Sequence, residues 1–158
     1  MKDEIRLRSV MEADLPFLFA YQLDREANYM AAFTAKDPTD REAFEAKWAR
    51  ILGDEGVVAR VVLVKGKVAG SFLCFDMFGR RQVGYWLGRD WWGRGIATAG
   101  LGLFLEEVGE RPLYAQVAYD NYGSLRVLAK CGFERWGMER GMALGRGEEI
   151  DEVVMILR

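Results

Sequence analysis

The sequence predicts an α+β fold in which helices flank a mixed, mostly antiparallel sheet of about seven strands. Three β-rich runs follow one another at residues 57–64, 68–77 and 82–87, and the short turns between them are typical of antiparallel pairs. A glycine-rich turn and an apolar helix then lead to a β-rich run at residues 113–118, which a helical crossover makes parallel to the strand before it. Residues 5–8 and two runs near the end of the chain supply the remaining strands.

Length and composition are those of an ordinary soluble globular protein with one domain. The chain has 158 residues, of which 51% are apolar and 29% charged, and its net charge is −2. This charge argues against nucleic-acid binding, which needs a basic surface. No apolar run approaches the ~18 residues of a membrane span, and the N-terminus lacks the apolar core of a signal peptide. We therefore expect a cytoplasmic monomer or homodimer without nucleic-acid or membrane partners.

The residue types that are absent narrow the chemistry. The chain contains no histidine, which excludes histidine-based triads and histidine-containing metal sites. Its two cysteines, Cys74 and Cys131, lie in apolar segments, which favours buried thiols in a reducing compartment over a disulfide. Acid–base chemistry must therefore use carboxylates, tyrosines, lysines, a serine or water, and we expect no metal.

The N-terminal part of the chain predicts a strand and then a helix. Residues 5–8 alternate apolar and charged side chains, which suits a strand with one exposed face. Asp14, Leu15 and Pro16 are typical of a helix start, and the helix is expected to reach about residue 23. Residues 28–36 predict an irregular loop whose apolar side chains cap the core or line a ligand pocket.

A second helix is predicted after Pro38, where Thr39 and Glu42 have the spacing of a capping box. Residues 53–56 end this helix. Its predicted buried face consists of Phe44, Trp48, Ile51 and Leu52.

Two tight turns are predicted between the central strands. Lys65, Gly66 and Lys67 indicate a hairpin between the first two of them. Gly79, together with Arg80 and Arg81, indicates the turn into the third.

Residues 83–107 join a strand to a helix through a turn that contains Gly93, Arg94 and Gly95. The free N–H groups and the dipole of a helix N-terminus attract anions, and glycine lets the backbone approach a phosphate closely. The pattern differs from a dinucleotide fingerprint because Thr98 stands at the third glycine position, and no P-loop lysine follows. The turn therefore predicts a site for another pyrophosphate-bearing ligand, although such joints also occur without one.

The helix predicted at residues 96–108 is apolar nearly all round, which fits burial against a sheet. Gly100 and Gly102 within it cost about 1 kcal/mol each relative to alanine. The sequence leaves open whether they allow close packing or only weaken the helix. A shorter helix is predicted at residues 124–130, and strands are expected near residues 134–143 and 149–157.

Two motifs resemble those of the GNAT acetyltransferases. Residues 92–97, W-G-R-G-I-A, resemble the acetyl-CoA pyrophosphate loop Q/R-x-x-G-x-G/A. Residues 121–133 resemble the N-x-x-S/A…K-x-G-F segment, at the expected distance downstream. The resemblance covers nearly the whole chain and is closest in wording to the ribosomal-protein N-acetyltransferase branch. Two positions depart from the pattern, because Trp92 replaces Gln/Arg and Leu128 stands where many relatives carry a catalytic tyrosine.

The resemblance implies a single N-acetyltransferase domain with acetyl-CoA as co-substrate. It also implies that the central parallel strands splay apart to admit the pantetheine arm. Backbone N–H groups near Trp86 and Leu87 would bind the oxyanion, and Asn121 would orient the pantetheine amides. The implied acetyl-CoA-binding residues are Trp86, Leu87, Trp92, Gly93, Arg94, Gly95, Ile96, Ala97, Thr98, Asn121 and Ser124.

For catalysis, the resemblance favours Ser124 as the residue that protonates the leaving thiolate, with Tyr119 and Tyr122 as alternatives. From the residues alone, the favoured role of Ser124 is that of a helix N-cap, with Asn121 as a turn former, and only the resemblance reverses this preference. Relatives often place a glutamate base at the position of Gln82, which cannot accept a proton at neutral pH. Asp76 is the substitute base that we expect, acting through water, although it also suits a solvated strand end.

The expected acceptor is a primary amine, which must be neutral to attack a thioester. With ordinary pKa values, roughly 15% of an α-amino group is neutral at pH 7, against roughly 0.04% of a lysine amine. A protein N-terminus is therefore one candidate, and a polyamine, amino acid or aminoglycoside is the other. A CoA-binding sensor without turnover is a third reading. The predicted acceptor-binding residues are Tyr29, Phe33, Gln82 and Tyr85.

Overall fold

The structure, a computed structural model, describes residues 4–158 and contains one seven-stranded sheet. The strand order across the sheet is β1-β2-β3-β4-β5-β7-β6, and every neighbouring pair is antiparallel except β4 and β5. This confirms the predicted mixed, mostly antiparallel sheet. The strands are β1 (Ile5–Ser9), β2 (Val58–Val64), β3 (Lys67–Met77), β4 (Arg80–Leu87), β5 (Leu113–Ala118), β6 (Glu134–Ala143) and β7 (Glu148–Leu157).

Five α-helices flank the sheet in the described part of the chain. The longer ones were predicted closely, because α4 has the expected bounds and α3 ends at Gly53 as expected. None of the helices within residues 4–158 is long and apolar enough to cross a membrane. The helices are α1 (Leu15–Gln22), α2 (Arg25–Ala31), α3 (Arg41–Gly53), α4 (Ile96–Val108) and α5 (Tyr122–Lys130).

The prediction of an irregular loop at residues 28–36 was wrong in its first part, which belongs to α2. The side chain of Asp24 caps this helix by accepting hydrogen bonds from the N–H groups of Glu26 and Ala27, at 3.0 and 3.2 Å. The helix has only seven residues, so its apolar residues do not repeat often enough to give a helical period. The cap at Asp24 was the signal that the sequence analysis missed.

The start of α3 also differs from the prediction. Asp40 is the N-cap and accepts from the N–H of Ala43 at 3.0 Å, while the hydroxyl of Thr39 donates to Asp37 instead. On the predicted buried face, Leu52 is exposed although it lies within the helix, and Ile51 is half-buried. Phe44 and Trp48 are buried as predicted.

Turns between the central strands rely on positive φ angles. The hairpin at Lys65 and Gly66 is confirmed, with φ values of 51° and 79°. The next turn is formed by Phe78 and Gly79, with φ values of 55° and 73°, so Arg80 and Arg81 belong to β4 rather than to the turn. Two-residue turns of this left-handed kind match the twist of the flanking strands.

The two glycines of α4 have different surroundings. A Cβ at Gly100 would lie 2.8 Å from the ring of Phe72, so this glycine lets α4 pack closely on β3. No atom lies within 4 Å of the corresponding position at Gly102. Phe72 and Phe104 stack at 5.7 Å in the core between the sheet and α4, and Cys74, also in this core, is a free thiol, as is Cys131.

The parallel strands β4 and β5 separate almost as soon as they meet. Their only register pair within residues 4–158 joins Gln82 to Tyr114, near the N-terminal end of β4. Beyond that pair, the edge of β4 that faces β5 has no strand partner, and its peptide groups line an opening in the sheet. The expected splay of the central strands is therefore present.

Candidate active site

The glycine turn ends in the N-terminus of α4, which has no side-chain cap. Gly93 and Gly95 have φ values of 70° and 75°, a left-handed conformation that favours glycine. No atom lies within 4 Å of where a Cβ would stand at either residue, so the turn has an open, concave surface. The first N–H groups of the helix, from Ile96 onward, have no carbonyl partner within the helix. This surface fits a phosphate group in both shape and polarity.

A cavity of about 490 Å³ opens beside this turn and is called the loop cavity here. Nearly all of the predicted acetyl-CoA-binding residues line it. The exception is Arg94, whose guanidinium instead lies 5.0 Å from the ring centre of Trp91. The residues of that prediction that line the loop cavity are Trp86, Leu87, Trp92, Gly93, Gly95, Ile96, Ala97, Thr98, Asn121 and Ser124.

Positive charge in the loop cavity comes from α5, where the sequence analysis did not look for it. Arg126 and Lys130 line the cavity and stand four residues apart, which places them on one face of the helix. The indole N–H of Trp92 donates to the carbonyl of Leu87 at 3.0 Å, so this tryptophan fixes the turn to the end of β4. Trp92 thus has a structural contact that the Gln/Arg of the motif would not make in the same way.

A second cavity of about 720 Å³, called the sheet cavity here, lies between the spread strands β4 and β5 and adjoins the loop cavity. Three of the four predicted acceptor residues, Phe33, Gln82 and Tyr85, line it. Gln82 is buried, and its amide donates to the carbonyl of Met77 at 3.1 Å. The remaining wall is mainly apolar and includes Leu128. The cavity therefore has the largely apolar wall with a few polar groups that is typical of small-molecule sites.

The two cavities meet at residues that line both of them, among them Tyr85, Trp86, Asn121 and Ser124. Asn121 is the N-cap of α5 and accepts from the N–H of Ser124 at 3.3 Å. Ser124 is therefore not the cap, and its hydroxyl lies 3.0 Å from the hydroxyl of Tyr85. Burial raises the pKa of Tyr85, and the hydrogen bond with Ser124 opposes this shift only in part. The phenol is consequently protonated at neutral pH.

Asp76 and Tyr29, like Arg94, line neither cavity, and neither do the alternative acids Tyr119 and Tyr122. Asp76 stands near the end of β3 with a side chain that is 75% exposed, and its carboxylate lies 3.6 Å from the guanidinium of Arg81. It does not line the sheet cavity, so the structure does not bring it together with Ser124. The guanidinium of Arg146 lies over the ring of Tyr29, 4.4 Å from the ring centre. Ala31, two residues further along α2, lines both cavities.

Carboxylates do reach the sheet cavity, but from β6 and β7. The amide of Gln116 donates to Glu139 at 2.7 Å and to Glu152 at 3.1 Å, and Arg80 donates to Glu139 at 2.8 Å. Burial, together with the charge of Glu139, raises the pKa of Glu152, while Arg80 acts in the opposite direction. The sequence analysis missed this group because its members come from strands that only the sheet order brings side by side.

An ion pair ties the walls of the two cavities together. Arg146, whose side chain is 2% exposed, donates two hydrogen bonds to Asp120 at 2.7 and 2.8 Å. It also donates to the carbonyl of Tyr29 in α2 at 2.8 Å. Because Asp120 directly precedes Asn121, the pair connects α2 and the β6–β7 turn to the start of α5. The pKa of Asp120 is lowered by its hydrogen bonds with Arg146.

Comparison with protein families gives one match. The family model described as acetyltransferase (GNAT) domain matches residues 4–134, which is more than half of the chain. No curated protein matches the sequence significantly.

Solved structures with similar folds are numerous, and they share little sequence identity with this chain. Mycobacterium smegmatis RimJ, in complex with CoA-disulfide, is 21% identical with a TM-score of 0.82, over 97% of this chain and 81% of that one. The spermidine N-acetyltransferase of Vibrio cholerae, in complex with CoA and spermine, is 17% identical with a TM-score of 0.83, over 97% and 94%. A ribosomal-protein-alanine N-acetyltransferase from Brucella melitensis is 24% identical with a TM-score of 0.79, over 96% and 98%. At these identities the likeness is one of fold.

Proposed function

The chain belongs to the GNAT acetyltransferase family, and from this premise we propose that it transfers the acetyl group of acetyl-CoA to a primary amine, with a protein N-terminal α-amine as the first candidate. One observation carries the proposal. A cavity that begins at a glycine turn and a second cavity between the spread strands meet at Tyr85, Trp86, Asn121 and Ser124. Two substrates that enter from opposite sides would meet there.

The loop cavity suits acetyl-CoA in charge and shape. The open turn at Gly93 and Gly95 accommodates the pyrophosphate, and Arg126 and Lys130 add positive charge on the same side. The unpaired edge of β4 offers peptide groups to the amides of the pantetheine arm, much as an added strand would pair with it. N–H groups near Trp86 and Leu87 would then donate to the thioester oxygen as it gains charge.

The sheet cavity suits an amine that arrives with a positive charge. Glu139, which is paired with Arg80, and Glu152 line this cavity together with Arg140, and Glu152 is the carboxylate that we assign to the cationic amine. Because the pKa of Glu152 is raised, this carboxylate takes up a proton more readily than an ordinary glutamate and can accept one from the ammonium. The apolar wall formed by residues such as Phe33 limits water around the reacting nitrogen. In this proposal Glu152, rather than Asp76, receives the proton that the amine must lose.

An α-amine is the first candidate because of its acidity. Roughly 15% of such a group is neutral at pH 7, so it needs little help from a base, whereas a lysine amine is almost entirely protonated. The same carboxylates also support a small amine with more than one positive charge, and a polyamine is therefore the second candidate. A protein N-terminus carries a peptide chain next to its amine, whereas a polyamine carries further amines. A panel of acceptors can therefore distinguish the two candidates.

The first experiment is a calorimetric titration of the protein with acetyl-CoA, CoA and NAD. We expect saturable binding of both CoA species and none of NAD. Absence of binding by either CoA species would contradict the proposal. A panel assayed by thiol release then compares a peptide with a free N-terminus, the same peptide N-terminally blocked but carrying a lysine, spermidine and a free amino acid. Binding of CoA without transfer to any of these amines would indicate a CoA sensor instead.

A further inference from the structure

We propose that Tyr85 and Ser124 act as one proton-donating unit for the leaving thiolate, with the phenol of Tyr85 as the source of the proton and the hydroxyl of Ser124 as the group that delivers it. The inference rests on the proposed function, because it concerns the reaction of a thioester. It gives Tyr85 a role beyond contact with the acceptor.

The position of the pair is the first argument. The acetyl group comes from the loop cavity and the amine from the sheet cavity, so the bond that breaks must lie where the cavities meet. Tyr85 and Ser124 line both cavities, and their hydroxyl oxygens are 3.0 Å apart. Leu128, one helical turn beyond Ser124 on α5, also faces the sheet cavity but has no proton to donate.

The protonation state of the phenol is the second argument. Tyr85 remains protonated because burial raises its pKa, and its ring is held 5.6 Å from Phe72 by packing in the core. A serine hydroxyl that receives a hydrogen bond becomes a better donor itself, since linked hydrogen bonds polarise one another. Either hydroxyl can donate across the 3.0 Å contact, and the order that we assign is from the Tyr85 hydroxyl to the Ser124 oxygen, and from the Ser124 hydroxyl to the sulfur.

The bonds and protons of the step balance without another reactant. The lone pair of the amine nitrogen forms a bond to the acetyl carbon, and the carbon–sulfur bond breaks with its electron pair left on sulfur. Sulfur takes the proton of Ser124, whose oxygen takes the proton of Tyr85. The phenolate regains a proton from the nitrogen, which must lose one to become an amide, through solvent or Glu152. One proton has thus moved from nitrogen to sulfur, and both hydroxyls are restored.

Kinetics of Tyr85→Phe, Ser124→Ala and the double variant test the pair as a unit. Each single change should lower kcat by about 100-fold, within the range that general acid catalysis contributes, and should change the KM for acetyl-CoA by less than about twofold. The double variant should be no slower than the slower single variant, because both changes interrupt one path. Tyr114→Phe is the matched control, since this tyrosine on β5 lines neither cavity, and its rate should equal that of the wild type. Multiplied effects in the double variant, or an unchanged rate in Tyr85→Phe, would overturn the inference.

A binding measurement tests the same contact without turnover. At about pH 9, above the ordinary value of roughly 8.5 for a cysteine thiol, a hydroxyl that donates to the CoA sulfur favours its thiolate form. Calorimetry at this pH compares CoA with desulfo-CoA, which lacks the sulfur atom. The wild type and Tyr114→Phe should prefer CoA by about tenfold, because a hydroxyl that donates to a thiolate forms a charge-assisted bond. Tyr85→Phe and Ser124→Ala should lose most of this preference. Equal binding of the two compounds to the wild type would overturn the inference alone, whereas binding of neither would overturn the proposed function as well.

Discussion

The loop cavity lies beside a glycine turn and a helix N-terminus, whereas the sheet cavity is lined by residues of β3 to β7 together with α2 and α5. In the loop cavity the important groups are a left-handed turn, a helix N-terminus and an unpaired strand edge. In the sheet cavity they are rings, amides and carboxylates whose positions depend on strand order. Ligand binding at the glycine turn should depend on backbone angles that only glycine adopts easily. Ligand binding in the sheet cavity should depend on the chemistry of the individual side chains. The comparison implies that acetyl-CoA binding and acceptor choice can be altered separately.

The ion pair between Asp120 and Arg146 should be the exception, because it supports both cavities. Asp120→Ala leaves the guanidinium of Arg146 buried without its carboxylate, which should lower the free energy of unfolding by about 3 kcal/mol at pH 7. The pKa of Asp120 is lowered in the folded state, so its contribution is present above the ordinary pKa of an aspartate and is lost as the pH falls through the lowered value. Urea unfolding at pH 7 and along an acid series measures both effects.

Asp151→Ala provides the control for that experiment. Asp151 pairs with Arg140 at 3.1 Å, but both side chains are more than half exposed, at 55% and 59%. Loss of such a pair should cost less than about 1 kcal/mol. Equal losses in the two variants would contradict a special role for the buried pair.

Gly95→Val should abolish most of the acetyl-CoA affinity and leave the sheet cavity as it is. A branched side chain is strained at a φ of 75° and would stand in the space assigned to the pyrophosphate. We expect Kd to rise by about 100-fold, which corresponds to about 2.7 kcal/mol. Calorimetric titration with acetyl-CoA measures it, and Gly102→Val, on the same helix with open space around it, should bind normally. Near-normal affinity of Gly95→Val would contradict the assignment of the turn.

Glu152→Gln should have the smallest effect of these changes. Unlike Gly95→Val, it should alter the kinetics of the acceptor and leave acetyl-CoA affinity unchanged. Removing this charge from the sheet cavity should raise the KM of a cationic acceptor by roughly tenfold, within the range of one charged contact, while Kd for acetyl-CoA stays the same. Because the change also removes the proton acceptor, it should lower kcat, and less for an α-amine, which is already partly neutral, than for a lysine amine. Because the pKa of Glu152 is raised on folding, its ionisation lowers stability as the pH rises from the ordinary pKa of glutamate through the raised one. The variant should therefore unfold at a slightly higher temperature than the wild type at pH 7.

Glu149→Gln, an exposed change on the same strand, serves as the comparison for both readouts. It should change neither the acceptor KM nor the melting temperature. If acceptor KM rises equally in both variants, general surface charge rather than the sheet cavity attracts the amine.

The contrast between the loop cavity and the sheet cavity also explains which features could be predicted from the sequence. The glycine turn, the helix start at Ile96 and the Asn121 segment are local, because a few adjacent residues determine both the backbone shape and its exposed N–H groups. The helix starts at Ile96 and after Asn121 were therefore predicted to within two residues from residues close together in the chain. The strand bounds were also predicted to within two residues, since alternation and turn residues act over short distances.

The acceptor side could not be predicted in this way. Gln116, Glu139 and Glu152 come together only because β7 lies between β5 and β6, which no local pattern of residues specifies. Asp76 was expected to act as a base through water, but its exposed side chain fits the alternative, a solvated residue at a strand end, and the direction of a side chain there depends on register that the sequence does not determine. The contact of Tyr85 with Ser124 likewise joins residues 39 positions apart.

The gap between β4 and β5 also has a consequence for cohesion. The seven strands form one sheet, but within residues 4–158 the register between β4 and β5 is a single pair, Gln82 and Tyr114. One hydrophobic core joins the strands on both sides of the gap, and a ligand that pairs with the free edge of β4 would add hydrogen bonds to that packing. At 100 times its Kd such a ligand adds about 2.7 kcal/mol to stability by mass action. Amide hydrogen exchange along β4 and β5 should slow most when the gap is filled, so that the bound co-substrate becomes part of what holds the sheet together.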